Sequence, residues 1–171
     1  LDSLDFINAV NNNDSLKEMG FNSHNYASLF IPNTYELYWN IDADEFVEKM
    51  IDEYKRFWNE ERLHKADNLK LKPIEVCILA SIVDKETTKT SEMPRIAGVY
   101  LNRLKKNWLL QADPTLVFAI GDFEIKRVLD VHKEIESPYN TYKYIGLPPG
   151  PICIPSIAAI DAVLNAEKHK Y

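Results

Sequence analysis

Three carboxylates lie close together in Val83-Asp84-Lys85-Glu86-Thr87 and the short stretch after it: Asp84, Glu86 and Glu92. They follow the apolar run Cys77-Ile78-Leu79-Ala80-Ser81-Ile82-Val83. An acid at the edge of an apolar surface is disfavoured in its charged form. A glutamic acid kept neutral near physiological pH is the proton donor that glycosidic bond cleavage needs. Side chains two apart on a helix point to different faces. If one helix runs through these residues, Asp84 and Glu86 therefore cannot look into the same cleft. Glu86 falls on the line of Leu79, Ile82 and Val83, the neighbours one and two helical turns back, so it would emerge at the rim of an apolar wall. The simpler alternative is an ordinary acid at a helix C-terminus, paired with Lys85 or Arg95. On the residues alone that alternative leads, because perturbed carboxylates are a minority.

No other constellation competes. His24, His64, His132 and His169 are scattered among polar neighbours; they make no metal or triad pattern and read as surface residues. Cys77 and Cys153 lack metal-ligand neighbours at zinc spacing. Cys77 reads as a small buried hydrophobe, and sequence alone does not supply the geometry a disulfide needs. A pyridoxal phosphate lyase needs a Schiff-base lysine and a phosphate cradle, and five glycines with no Gly-rich loop speak against one. We therefore expect no metal and no cofactor. The formal charge of -6 argues against nucleic acid as a ligand. A neutral polymer such as a glycan stays open. Asp113, in Gln111-Ala112-Asp113-Pro114-Thr115, has a plain reading too, since Asp before Pro commonly starts a turn.

The elements that must position these groups are mostly helices. With 171 residues, 46% of them hydrophobic, the chain has enough apolar mass for one domain or a domain with a small lobe. Residues 1–20 read as one or two short helices that stop at Gly20. Tyr26 to Trp39 is rich in aromatic and β-branched residues around Pro32-Asn33, which predicts an extended stretch, a turn and a short strand. Phe46, Val47, Met50, Ile51, Tyr54, Phe57 and Trp58 recur at helical spacing and predict one helix from Asp42 to about Asp67, with Trp58 in the core. Pro73 opens a second, apolar on nearly all sides and hence central. A third runs from a Ser91 cap to Lys106, with Tyr100 in its buried stripe. After Lys106, short segments alternate with Pro, Gly and Asn, and Leu147-Pro148-Pro149-Gly150-Pro151 reads as a rigid loop walling a site. The last helix starts at Ser156. Strands are expected near 35–39 and within 109–145, so the fold class is α+β, helix-rich, with ordered Pro/Gly loops. No apolar run reaches membrane-spanning length.

Five segments, in order, carry a resemblance: Leu29-Phe30-Ile31-Pro32-Asn33-Thr34-Tyr35, then LASIVDKET, SEMPRIAGVYLNRL, LQADPTLVFAIG and SPYNTYKYIGLPPGPICIPSIAAIDAVLNA. Together they resemble the YceG-like family of endolytic murein transglycosylases over nearly the whole chain. The resemblance implies a bitopic inner-membrane protein with a cytoplasmic tail, one membrane helix and a LysM-like lobe before an extracytoplasmic catalytic region. On that reading residues 1–40 are the N-terminal part of the catalytic region, and 41–171 are its main domain with the last C-terminal elements missing. Members carry their catalytic glutamate in the motif that here reads Asp84-Lys85-Glu86, commonly Glu-Lys-Glu. The shortened first acid makes Asp84 the weaker candidate and places the role on Glu86. Cys153, where members usually have a small polar residue or Asn, is a second departure.

The implied reaction is cleavage of the bond between N-acetylmuramic acid and N-acetylglucosamine to a 1,6-anhydro end, with one glutamate as acid and then base. Gln111, Asp113 and Thr115 would bond sugar hydroxyls and acetamido groups or orient Glu86. Tyr139, Asn140 and Tyr142 would line the groove. Loop scaffolding is an equal reading for all six. Trp108 would stack on a sugar or simply pack. Peptidoglycan strands are the expected partner, with cell-wall synthases a family-level expectation. A non-catalytic glycan-binding scaffold of the wall-synthesis machinery is the alternative.

Overall fold

The computed structural model describes residues 2–125 and 127–169. Among the described residues there are eight α-helices, numbered α1 to α8 in order. The central one is α5 (Pro73–Glu86). Pro73 occupies its first turn, and the Lys72 N–H donates to Glu75 Oε2 at 2.7 Å, so an otherwise open helix start is satisfied. Every residue from Val76 to Val83 is buried. A helix apolar on all sides has to be surrounded, and α5 packs on α4 (Glu60–Leu69), α6 (Met93–Lys105), α7 (Asp113–Ile120) and α8 (Ile157–Leu164). Truncating a fully buried side chain here, such as Leu79 to Ala, costs about 2–5 kcal/mol.

At the other end, α1 (Ser3–Asn12) lies on α3 (Ala43–Phe57), with the short α2 (Asp14–Glu18) between them in sequence. Phe6 and Phe30 both pack on Phe46, with ring centroids 6.0 and 6.4 Å away. Ala9 and Val10 belong to the same continuous core as Ile51, Leu79 and Ile160. Two caps set boundaries that periodicity does not show. The helix expected from Asp42 to Asp67 is broken at Trp58, which is buried, and Asn59 restarts it by accepting from the Arg62 N–H at 3.0 Å. The expected Ser91 cap is not used. Glu92 is the N-cap of α6, and its side chain makes no capping bond.

The α+β expectation is wrong: among the described residues there is no strand. Tyr26–Leu29 is a 3₁₀ turn, and the stretch from 30 to 41 is irregular. Its aromatics do not alternate between a buried and an open face, since Leu37, Tyr38 and Trp39 are 42%, 84% and 97% exposed in succession. A strand needs a partner to bond its backbone, and β-forming side chains without one leave the chain extended but unpaired. In the 109–145 region the apolar residues from Leu116 to Ile120 belong to α7, and Asp130–Glu134 is a second 3₁₀ turn.

Both cysteines are free, Cys77 buried and Cys153 half-buried. Burial pushes the Cys77 thiol up to about 12, so it behaves as a small hydrophobe. His24 and His64 are exposed as expected, whereas His132 and His169 are half-buried.

Candidate active site

The C-terminal end of α5 delivers its acids in opposite directions. Asp84 turns to the start of α8, where Ser156 Oγ donates to Asp84 Oδ1 at 2.6 Å while accepting from the Ala159 N–H at 3.2 Å. Ser156 is the N-cap of α8, so Asp84 holds the cap in place. Glu86 emerges on the other side. It is exposed rather than sunk in an apolar rim, and it forms no ion pair among the described residues. Arg95, one of its expected partners, bonds Glu167 instead at 3.3 Å. Glu92 is tied down: Lys89 Nζ and Thr87 Oγ1 each donate to it at 3.0 Å. The lysine first, then the hydroxyl, hold its carboxyl below the usual range, which suits an ion and not a proton donor.

Glu86 is fixed by a residue that sequence reasoning assigned only to packing. Tyr100, on the buried face of α6, donates its hydroxyl to Glu86 Oε2 at 3.1 Å. Burial, and then the Glu86 charge, raise the Tyr100 hydroxyl well above the ordinary tyrosine value, so it stays a donor. Arg103, one turn on along α6, lies close enough to oppose that rise and donates through Nη1 to the Leu110 carbonyl. The only sequence signal for Tyr100 was a hydroxyl in an otherwise apolar stripe with an arginine three residues later.

Facing α6 is a second group. Tyr142 donates to Asp113 Oδ1 at 2.5 Å. Burial, then this bond and the Asp113 charge, with Glu86 adding, push the Tyr142 hydroxyl up to about 12. Glu86, Tyr100, Asp113, Tyr142 and Arg103 thus form one electrostatic cluster. Beneath it Thr141 acts as a clasp. Its carbonyl accepts from the Gln111 N–H at 3.0 Å, and its Oγ1 accepts from the Ala112 N–H at 3.0 Å and pairs with Thr115 Oγ1 at 2.8 Å. Gln111 has φ +52°, a left-handed conformation costly for a residue with a side chain. The clasp holds it there and leaves its side chain exposed.

Of the six residues expected to bind sugar, Gln111 and Asp113 are exposed, Tyr139 and Tyr142 are half-buried, and Thr115 and Asn140 are fully buried. Asn140 donates twice through Nδ2, to the Lys133 and Ile135 carbonyls at 2.9 Å each, and accepts from the Tyr142 N–H at 3.0 Å. Tyr139 packs on Phe118 with centroids 4.7 Å apart. The rigid loop 147–151 lies under this group, where a Cβ at Gly150 would strike the His24 carbonyl, so the backbones meet at a distance only glycine allows.

Two open hollows flank the cluster. One, of about 670 Å³, has Arg103, Lys106, Trp108 and Gln111 in its lining. Trp108 is 56% exposed, with Lys106 Nζ 4.5 Å from its ring centre. The other, of about 490 Å³, is lined in part by Lys85, Asp113 and Phe118. Gln111 and Asp113, two residues apart, line one hollow each, and Lys85, the chain neighbour of Glu86, lines the second. Among the described residues no group of three His, Cys, Asp or Glu could hold a metal ion.

Comparison with known proteins identifies the family. A protein of Bacillus subtilis (strain 168) named endolytic murein transglycosylase is 44% identical over 93 residues, which cover 54% of this chain and 26% of that protein. One of the same name from Streptococcus pneumoniae serotype 2 is 33% identical over 137 residues, 76% of this chain and 25% of that protein. The chain thus spans about a quarter of the length of these relatives. The crystal structure of a yceG-like protein from Listeria monocytogenes superposes with a TM-score of 0.78 and 26% identity, covering 100% of this chain and 60% of that one. With residues 2–171 matched by the family's own pattern, the chain belongs to the YceG-like family.

Proposed function

We propose that this chain is the catalytic region of an endolytic peptidoglycan lytic transglycosylase, with Glu86 as its acid and base. One observation carries the reading. Among the acids at the end of α5, Glu86 alone is free of a cap or an ion pair, and one of its oxygens is anchored by Tyr100 in a cluster whose members Arg103 and Asp113 each line an open hollow. The relatives' shared name supports the substrate.

In the proposed reaction a strand covers Glu86 and removes its water. Glu86 then gives its proton to the oxygen between N-acetylmuramic acid and N-acetylglucosamine, and the C1–O bond breaks with oxocarbenium character. Glu86, now a carboxylate, takes the proton of the muramic acid C6 hydroxyl. O6 closes on C1 and leaves a 1,6-anhydro end, consuming no water. Tyr100 steadies the carboxylate as it forms. Asp113 and Gln111 bond sugar hydroxyls from the rim, and Trp108 offers a stacking face in its hollow. Thr115, Thr141 and Asn140 hold that rim from below.

A single membrane anchor outside the residues described, work on the outer side of the membrane and contact with wall synthases belong to the same reading, supported by the family resemblance. Among the described residues no helix is long and apolar enough to cross a membrane.

Glu86→Gln is the test. The variant keeps the fold and binds glycan, but releases no anhydro-muropeptides from purified sacculi, as read by mass spectrometry. Anhydro ends at the wild-type yield would remove Glu86 from the chemistry. Reducing ends from the wild type would make the chain a hydrolase. No cleavage by the wild type, with sacculus binding intact in both, would favour a non-catalytic glycan-binding scaffold.

A further inference from the structure

The hollow that Lys85 lines has a chemistry the sugar-cleaving reaction does not use. Its walls are Val117, Phe118, Phe123 and Ile125, yet two cations, Lys85 and Arg127, stand among them. Both are exposed, and neither forms an ion pair among the described residues. Phe123 is 71% exposed. Asp113 stands at the inner edge, with Oδ1 already accepting from Tyr142. A plain sugar subsite is built differently. The Trp108 hollow shows the contrast: its two cations are engaged, Arg103 on the Leu110 carbonyl and Lys106 over the Trp108 ring, and the amide side chains of Asn102, Asn107 and Gln111 complete its lining.

Small apolar side chains together with a carboxylate fit the Lys85 hollow. In peptidoglycan that combination occurs on the short peptide borne by the muramic acid lactyl group, with alanine methyls and free carboxylates. We infer that the Lys85–Arg127 hollow is a subsite for this acidic peptide, so the chain favours peptide-bearing strands over bare glycan. The inference rests on the transglycosylase reading for the substrate, but its test does not depend on turnover. The methyl groups lie on Phe118, Phe123 and Ile125, and the carboxylates pair with Lys85 and Arg127 at the solvent edge. Glu86 is the chain neighbour of Lys85, so a seated peptide also draws the muramic acid toward the acid.

The experiment measures binding by calorimetry to Glu86→Gln protein, which holds its ligand uncut. The probes are two tetrasaccharides of alternating N-acetylglucosamine and N-acetylmuramic acid, one with peptides and one stripped of them. The peptide-bearing probe is expected to bind about tenfold tighter. Adding Lys85→Gln and Arg127→Gln is expected to bring that ratio down to about twofold, the scale of two charge pairs at a solvent edge. Arg127→Lys should keep most of it, and Phe123→Ser should reduce it without touching charge. Equal binding of the two probes, or a ratio indifferent to all three cation variants, overturns the peptide subsite. Neither result bears on whether Glu86 cuts, which product analysis decides separately.

Discussion

Replacing Tyr100 with Phe asks whether the anchored carboxylate matters to the chemistry. The substitution removes one hydroxyl and keeps the ring, which is 5% exposed and part of the core. It deletes the bond to Glu86 Oε2 at 3.1 Å and nothing else that Tyr100 donates. A hydrogen bond to a charged group contributes about 1.5–3 kcal/mol, and each 1.36 kcal/mol of barrier is tenfold in rate. The range is therefore about 10- to 150-fold. Glu86 is exposed, so water partly replaces the lost donor and the lower end applies, about tenfold. The loss falls on kcat, because the bond strengthens as Glu86 gives up its proton and carries charge, while the strand's contacts elsewhere leave KM nearly unchanged. Release of anhydro ends from soluble strands gives both constants. The melting temperature should stay within about 3 °C, as expected for a loss below 1 kcal/mol in a chain of this size. A kcat within twofold of wild type, with the fold intact, would show that Tyr100 merely packs. A large rise in KM alone would place it in binding.

Three further substitutions separate support from chemistry. Ser156→Ala removes the α8 cap and the bond to Asp84; it should cost about 1–2 kcal/mol in denaturant unfolding while the activity per folded molecule persists, and lost activity at full folding would return Asp84 to the catalytic list. Thr141→Val strands the Ala112 N–H and loses the Thr115 partner, both buried; the expected cost is about 2–4 kcal/mol, seen as a lower midpoint and weaker glycan binding together, and unchanged stability would refute the clasp. Glu92 is held below the ordinary 4.5 of a free glutamate by Lys89 and Thr87. A lowered folded value adds stability above the unfolded value and loses it as pH falls through the folded one. The melting-temperature gap between wild type and Glu92→Gln should therefore be open at neutral pH and close below about 4.5, and a gap widening with acid would reverse the sign.

The helices that carry the site were readable because their causes are local. Pro73, the unbroken apolar face and Ser156 mark α5 and α8 without any tertiary information. So was the split between Asp84 and Glu86, which needs only the helical repeat. What stayed hidden depends on distant partners. Trp58 looks helical by spacing, yet the chain turns there because Asn59 caps a new helix. The segment 30–41 has strand-forming side chains but no neighbour to bond. Tyr100 counts as an ordinary core residue until the end of another helix is laid against it. The resemblance offered Thr115 and Asn140 as groove residues with scaffolding an equal reading, and the fold spends their polarity on its own backbone.

The position of Asp113 changes what the single-acid argument rests on. A glycoside hydrolase of the usual kind needs a second carboxylate to activate water or attack the sugar. Sequence alone offered no evident second acid, but the fold brings Asp113 into the same cluster as Glu86. Its presence would by itself permit hydrolysis. Two features count against that role. Tyr142 already donates to Asp113 Oδ1 at 2.5 Å, so that oxygen is occupied and not free to accept a proton from water. The competing nucleophile, the C6 hydroxyl, is part of the bound sugar, and well-oriented intramolecular groups reach effective molarities of about 10⁵ M or more. Water needs a strong base to match that. The Tyr142–Asp113 bond thus becomes a candidate control on product type, since removing it frees Asp113 Oδ1 to accept from a water. Tyr142→Phe should raise the share of reducing ends over anhydro ends. An unchanged ratio in mass spectra of the products would show that the muramic acid hydroxyl wins whatever Asp113 does.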